Sequence, residues 1–279
     1  AQLYYNYIDH VMDNFSLRTP PASSSSWMAS NPDRKTTGAR LATTLTPDDT
    51  HKMMLGLDQQ SNTHTVRSSG MGGEQAAPFS SKTRAEDAQF SNWGLFGEVT
   101  HMVNDDERMV IGARQDRWQA TDKRPAINSG MMSLGANPTA GLQRNKTLTS
   151  GFARYEKDWN AQTQTFVGIG HTERAPDYWE LISKESANST SAFQAVAPER
   201  TTQLDLGLTY QSERLQSFAS AYFSQIEDFI LIQSNVLKPS GMGTRNSTIA
   251  RNIDPQTWGG EAGLQYGWTP SWSTLASVA

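Results

Sequence analysis

Gln203-Leu204-Asp205-Leu206-Gly207-Leu208-Thr209-Tyr210 alternates polar and apolar residues without a break. The same alternation recurs in Trp258-Gly259-Gly260-Glu261-Ala262-Gly263-Leu264-Gln265-Tyr266-Gly267-Trp268. Successive side chains of a β-strand point to opposite faces, so each segment has one apolar face and one polar face. In the second segment the apolar face begins and ends on an aromatic ring. That pattern suits a strand of a barrel wall, standing in lipid outside and enclosing a polar lumen.

Composition fits such a wall. Only 36% of residues are apolar and mean hydropathy is -0.59, yet the chain carries eight Trp, eight Tyr and ten Phe. No apolar run approaches the eighteen or so residues of a membrane-spanning helix, whereas a barrel strand needs only about ten, half of them apolar. The net charge of -4 comes from interspersed signs, which points away from a nucleic-acid surface. With no cysteine, disulfides, thiolate catalysis and thiolate metal sites are excluded within the 279 residues. Asn145, Asn188 and Asn246 open N-x-S/T triplets, read as chance matches in polar loops.

The alternation predicts eleven strands: 3–15, 36–46, 50–60, 90–102, 108–121, 146–157, 164–173, 199–210, 215–232, 247–267 and 271–279. Short turns rich in Asp, Asn, Pro and Ser join partners at 47–49, 104–107, 158–162, 211–214 and 269–270. Between them lie longer connections at 16–35, 61–89, 122–145, 174–198 and 233–246. Short and long connections alternate, as the periplasmic turns and external loops of outer-membrane barrels do. Tyr155, Trp159, Tyr210, Tyr266, Trp268 and Trp272 all lie beside short turns, as a girdle at one membrane surface would. The expected fold is therefore all-β, a partial transmembrane antiparallel β-barrel. Because both ends fall inside strand patterns and single-chain bacterial barrels have even strand numbers, 1–279 reads as the central segment of a longer barrel. Eleven strands are half of a 22-stranded wall.

Four stretches, in order, resemble TonB-dependent receptors. They are Phe166 to Leu181, with His171, Arg174-Ala175-Pro176 and Glu180-Leu181; Pro198-Glu199-Arg200 leading into Leu204 to Leu208; Ala221-Tyr222-Phe223 through Ile226-Glu227-Asp228-Phe229-Ile230; and Asn252-Ile253-Asp254 before Gly260-Glu261-Ala262. Asp205 stands where that family usually carries Glu. Pro176 removes a backbone donor and should end ladder pairing at the start of an external loop. Asp205 and Glu261 read as solvated lumen wall. The resemblance implies a plug domain, absent from this chain, and a Gram-negative outer-membrane location among lipid and lipopolysaccharide. It also implies energy coupling through TonB, with ExbB and ExbD, to the plug and its TonB box.

A narrower resemblance joins Tyr4-Tyr5-Asn6-Tyr7-Ile8-Asp9-His10-Val11-Met12-Asp13-Asn14, with Asn31-Pro32-Asp33-Arg34 before Gly38, to the copper-type (OprC/NosA-like) group of these receptors. There an H-x-M pair on the barrel joins a Cys and a Met of the plug around copper, which implies His10 and Met12 as metal ligands here and a copper ion as the transported ligand. Strand geometry is compatible, since residues i and i+2 share a face about 6–7 Å apart. With Leu3, Tyr5 and Tyr7 toward lipid, His10 and Met12 fall on the lumen side near the outer end. Imidazole with thioether suits copper and is poor for magnesium or calcium. Read from the residues alone, a packed Met beside a hydrogen-bonded His is the competing explanation.

Met28, Met71, Met131, Met132, Met242 and His64 fall in expected external loops, as weak copper contacts or as loop packing. His51 and His101 lie near short turns as ordinary residues, and His171 lies near the external rim. No G-x-S-x-G, H-E-x-x-H or P-loop Lys is present, and Gly70-Met71-Gly72-Gly73 opens no helix, so the chain is not expected to be an enzyme. The rivals to copper uptake are a receptor for a siderophore or other metal chelate, a passive porin-like barrel, and a soluble all-β protein.

Overall fold

The computed structural model describes residues 1–23, 26–68, 81–128 and 134–279. Its strands are β1 (Gln2–Asp9), β2 (Met12–Asp13), β3 (Ala29–Leu45), β4 (His51–Ser68), β5 (Ala85–Asn104), β6 (Glu107–Asp122), β7 (Ala126–Asn128), β8 (Leu134–Ala136), β9 (Gln143–Asn160) and β10 (Thr163–Arg174). After a short helix α1 (Tyr178–Leu181) follow β11 (Glu199–Gln211), β12 (Leu215–Glu227), β13 (Phe229–Ser240), β14 (Gly243–Ile253), β15 (Gln256–Thr269) and β16 (Trp272–Val278). Eleven strands pair antiparallel in the order β1-β3-β4-β5-β6-β9-β10-β11-β12-β15-β16, and β2 adds to the edge of β3. This is the eleven-strand wall expected from the alternation, and each expected short turn joins the partners foreseen.

Register sorts the two faces. One unbroken row across six strands reads Ile111, Ala153, Ile169, Leu204, Phe223 and Trp258. The row Leu41, Leu57, Leu95 continues the same face on β3, β4 and β5. The opposite face carries the row Asp58, Gly94, Asp116, Leu148, and here Arg114 forks onto Asp58 at 2.8 Å through both terminal nitrogens and onto Asp116 at 2.6 Å. A guanidinium shared between two carboxylates satisfies charge that an apolar surround would not tolerate. Aromatic residues bracket the apolar face at both ends, with Tyr155, Tyr210, Tyr266 and Trp268 beside the short turns and the exposed Trp93 and Trp258 toward the long connections.

On the polar face, glycines lie directly opposite aromatic rings: Gly38 faces Tyr4, Gly56 faces Phe96, Gly112 faces Phe152 and Gly207 faces Phe166. Each ring lies over the glycine Cα, in the space a Cβ would need. Ring and glycine together keep the wall smooth where a branched side chain would displace the ring.

The structure corrects the sequence at three places. The expected strand 215–232 ends at Glu227, because Asp228 takes φ 58°, and the expected strand 247–267 is likewise two strands. The released segments pair with each other as β13 and β14, a separate hairpin with Gly241 at φ 58° in its turn, where 233–246 reads as an irregular loop. Two connections are also shorter than expected: β3 begins at Ala29, within 16–35, and β4 runs to Ser68 while β5 begins at Ala85, at the two ends of 61–89.

The connection after β10 begins at Ala175-Pro176, as expected, but it does not project into solvent. It turns through α1, closed by a capping box in which the Glu180 amide donates to Asp177 at 2.9 Å and the Asp177 amide donates to Glu180 at 2.8 Å. It then lies on the polar face of the wall. Leu181, Ala192, Phe193 and Val196 are wholly buried there against Ala88, Trp118, Ala120 and Leu148, with Ile230 and Ala250 of the extra hairpin closing the cluster. Arg144 donates to the carbonyls of Phe193 and Val196, and Arg124 donates to that of Ile182. The principal hydrophobic core is thus an infolded loop.

Candidate metal centre

His10 and Met12 stand at the long-connection end of the first strand. β1 pairs with β3 up to Asp9 opposite Asp33, the His10 amide donates to the Pro32 carbonyl at 3.0 Å, and Met12 of β2 lies opposite Ser30. The register is the same on both sides of residues 10 and 11, so His10 and Met12 share the face of Tyr4 and Asn6, the polar face. Both residues are exposed, Met12 at 38%.

The backbone carrying the pair is braced from the opposite face. Asn31 is wholly buried, and its amide nitrogen donates to the His10 carbonyl at 3.1 Å and to the Asp9 carboxylate at 2.5 Å. Its side-chain oxygen accepts from Arg67 at 2.8 Å and from Arg84 at 2.7 Å, while Arg84 also binds Asp9 at 2.8 Å and Asp33 at 3.3 Å. Tyr7 and Thr65 donate to the two oxygens of Asp33. A carboxylate and an amide with every oxygen engaged hold a fixed geometry. The sequence marks Asn31 to Arg34 only by resemblance; the brace across β1, β3, β4 and Arg84 has no local signal, because its members lie up to 75 residues apart.

The remaining histidines and methionines separate. His64 does not lie in an external loop: it belongs to β4, beyond the level of Trp93, and is buried. Its ring stacks on Tyr178 of the infolded loop at 4.0 Å and meets the edge of Phe90 at 5.9 Å. Burial lowers its proton affinity to about 4. Tyr178 in turn donates to Asp87 at 2.5 Å, and burial pushes the Asp87 carboxyl above its ordinary range. Met28 and Met242 are exposed in connections, and Met71, Met131 and Met132 lie outside the described residues. His51 and His101 stack at 4.5 Å beside a short turn, with His51 also held by Asp48, and His171 bonds Thr202 at 2.9 Å. Among the described residues no three His, Asp or Glu side chains cluster closely enough to hold a metal ion.

The β-barrel model of TonB-dependent receptor-like proteins matches residues 1–279. The chain belongs to this family. Among solved structures it is similar to the copper transporter OprC, with 43% identity and a TM-score of 0.88 over 99% of this chain and 42% of that one. The hemophore receptor HasR of Serratia marcescens matches at 16% identity and TM-score 0.63 over 86% of this chain and 40% of its own. FpvA of P. aeruginosa matches at 13% and 0.61 over 99% and 36%. These two share the fold alone. The chain spans less than half the length of each of these structures, and no curated protein matches it. With the family established, the apolar face of this TonB-dependent receptor barrel is its lipid side and the polar face its lumen side.

Proposed function

We propose that the protein containing this chain is an outer-membrane receptor that takes up copper ions, driven by TonB with ExbB and ExbD. The observation that carries the reading is the 43% identity to a copper transporter across 99% of the chain, against 12–16% for solved receptors of hemophore, siderophores and iron. His10 and Met12 support it, since an exposed imidazole and an exposed thioether share one strand face, on a backbone fixed by Asn31. Together they form a donor pair for copper, completed by ligands from outside this chain.

The wall contributes the rest of the proposed mechanism. The infolded loop lays an apolar cluster on the lumen wall, and the Arg114 guanidinium, shared by Asp58 and Asp116, leaves no unbalanced positive charge there to repel a cation. The test is copper content of the full-length, detergent-purified protein. Wild type should bind copper, and His10→Ala and Met12→Ala should each weaken it while the barrel stays folded. Equal copper in wild type and both variants would remove the site assignment.

A further inference from the structure

A second group of metal-binding side chains lies on the other face of the wall from His10 and Met12, and at its opposite end. His51, His101, Met109 and Tyr155 form one row across β4, β5, β6 and β9, and the next row toward the middle of the wall is Met53, Val99, Ile111 and Ala153. The histidines therefore stand at the level of the Tyr155 girdle beside the short turns, where apolar wall meets water. His51 and His101 face each other directly. The Met102 amide donates to the Thr50 carbonyl at 2.8 Å, so the neighbouring pair carries the ladder bond and the histidine pair does not. Such non-bonded pairs bring side chains closest. The two imidazole rings stack at 4.5 Å.

Their nitrogens are set up differently. Asp48 accepts from the Thr50 hydroxyl at 2.7 Å, from His51 Nδ1 at 2.9 Å and from the Thr50 amide at 2.9 Å. These donors, the Thr50 hydroxyl foremost, hold the Asp48 carboxyl well below the usual carboxylate range. A proton kept on His51 Nδ1 by this carboxylate leaves the lone pair on Nε2, the arrangement that orients a metal-binding imidazole. His101 Nδ1 is shut away from water and has no hydrogen-bond partner. A buried polar atom left unpaired costs free energy that a coordinate bond to it would recover. Met109 stands directly opposite His101 on the same face, 38% exposed, and its flexible thioether is a third donor.

We propose that His51 and His101, with Met109, bind one transition-metal ion of the copper(II) type on the outer surface of the wall at its short-turn rim. Two neutral nitrogens and a soft sulfur suit copper and are poor for magnesium or calcium. Asp48 is a positioning residue: its oxygens are engaged by Thr50 and His51, so it fixes the imidazole and leaves the ion to the other donors. Water fills the remaining positions, so the ion exchanges with solvent and is lost once unbound metal is removed. The rim lies outside the lumen and is no station for cargo. The proposal is independent of what the receptor carries.

The test is an equilibrium copper(II) titration of the tag-free, full-length protein in detergent, followed by electron paramagnetic resonance. It is carried out in the His10→Ala/Met12→Ala background, so that failure of the external site does not enter. One saturable ion with nitrogen superhyperfine structure from two imidazoles should appear. His51→Gln and His101→Gln should each abolish that signal, so a folding defect in one variant does not decide the matter, and both should keep heat-modifiable gel migration. Asp48→Asn should retain the two-nitrogen signature but weaken binding about tenfold. A background protein without saturable copper(II), or titrations unchanged in both histidine variants, would overturn the proposal and leave the histidines as a stacked pair only.

Discussion

At the scale of single residues, the most informative positions are those where a small or uncharged group sets the geometry of a larger one. Asn31 is one. It joins the His10 carbonyl, Asp9, Arg67 and Arg84 from a wholly buried position. Removing its amide strands several of these groups, at about 1–3 kcal/mol each. Asn31→Ala should therefore weaken copper binding through the posture of residues 9–12, while His10 and Met12 remain present. Isothermal titration comparing Asn31→Ala with Asn31→Asp checks this, and unchanged affinity in both would count against the brace. Gly207 is another such position, because the Phe166 ring occupies its Cβ space, whereas a Cβ on Gly168 would meet its neighbours only at 3.7 Å or more. Gly207→Val should cost about 1–3 kcal/mol through overpacking, and Gly168→Ala should be close to neutral. Midpoints of urea unfolding in micelles distinguish them. Alternation alone makes both glycines look like filler on the polar face; only the register reveals which one lies under a ring.

At the scale of elements, the infolded segment after β10 behaves as a docked lid on the lumen wall. Phe193 has no exposed surface, so Phe193→Ala should weaken docking by about 3–5 kcal/mol, and trypsin should then cut readily at Lys184. Docking should also respond to acid. His64 is neutral when stacked under Tyr178, with a proton affinity lowered to about 4 from 6.5. The undocked state therefore binds the extra proton between these values, so docking is unaffected above pH 6.5 and weakens as pH falls toward 4. Asp87, raised by burial, acts in the opposite sense by favouring its own protonation in the docked state. His64→Phe isolates the histidine contribution: its protease sensitivity should change less between pH 7 and pH 4.5 than that of wild type. Identical acid profiles would show that the ring does not titrate with docking. This lid was only partly legible. Pro176 marks where pairing stops, but Leu181, Phe193 and Val196 are scattered through a polar loop without strand or helix periodicity. The β13–β14 hairpin was hidden for a different reason: only Asp228 separates β12 from β13, so the apolar alternation runs through the point where the chain leaves the sheet.

At the scale of the whole molecule, the wall itself was the most legible feature. Period-two alternation sets which face meets lipid, and turn composition sets where the chain reverses; together they yielded all eleven strands of the sheet in their order of pairing. Strand ends at the long-connection side were less so, because above the apolar band both faces are polar and the alternation fades, as in Thr63 to Arg67 of β4. The two proposed ligands came from a short motif and not from the fold, and the register accounts for why they fall on one face. Copper uptake remains the central claim, and metal content of the full-length protein tests it most directly. After exposure to copper and removal of unbound metal, the detergent-purified wild type should retain copper, and His10→Ala/Met12→Ala should lose it while still migrating as a folded barrel. Copper retained undiminished by the double variant, or absent from the wild type, would contradict the account.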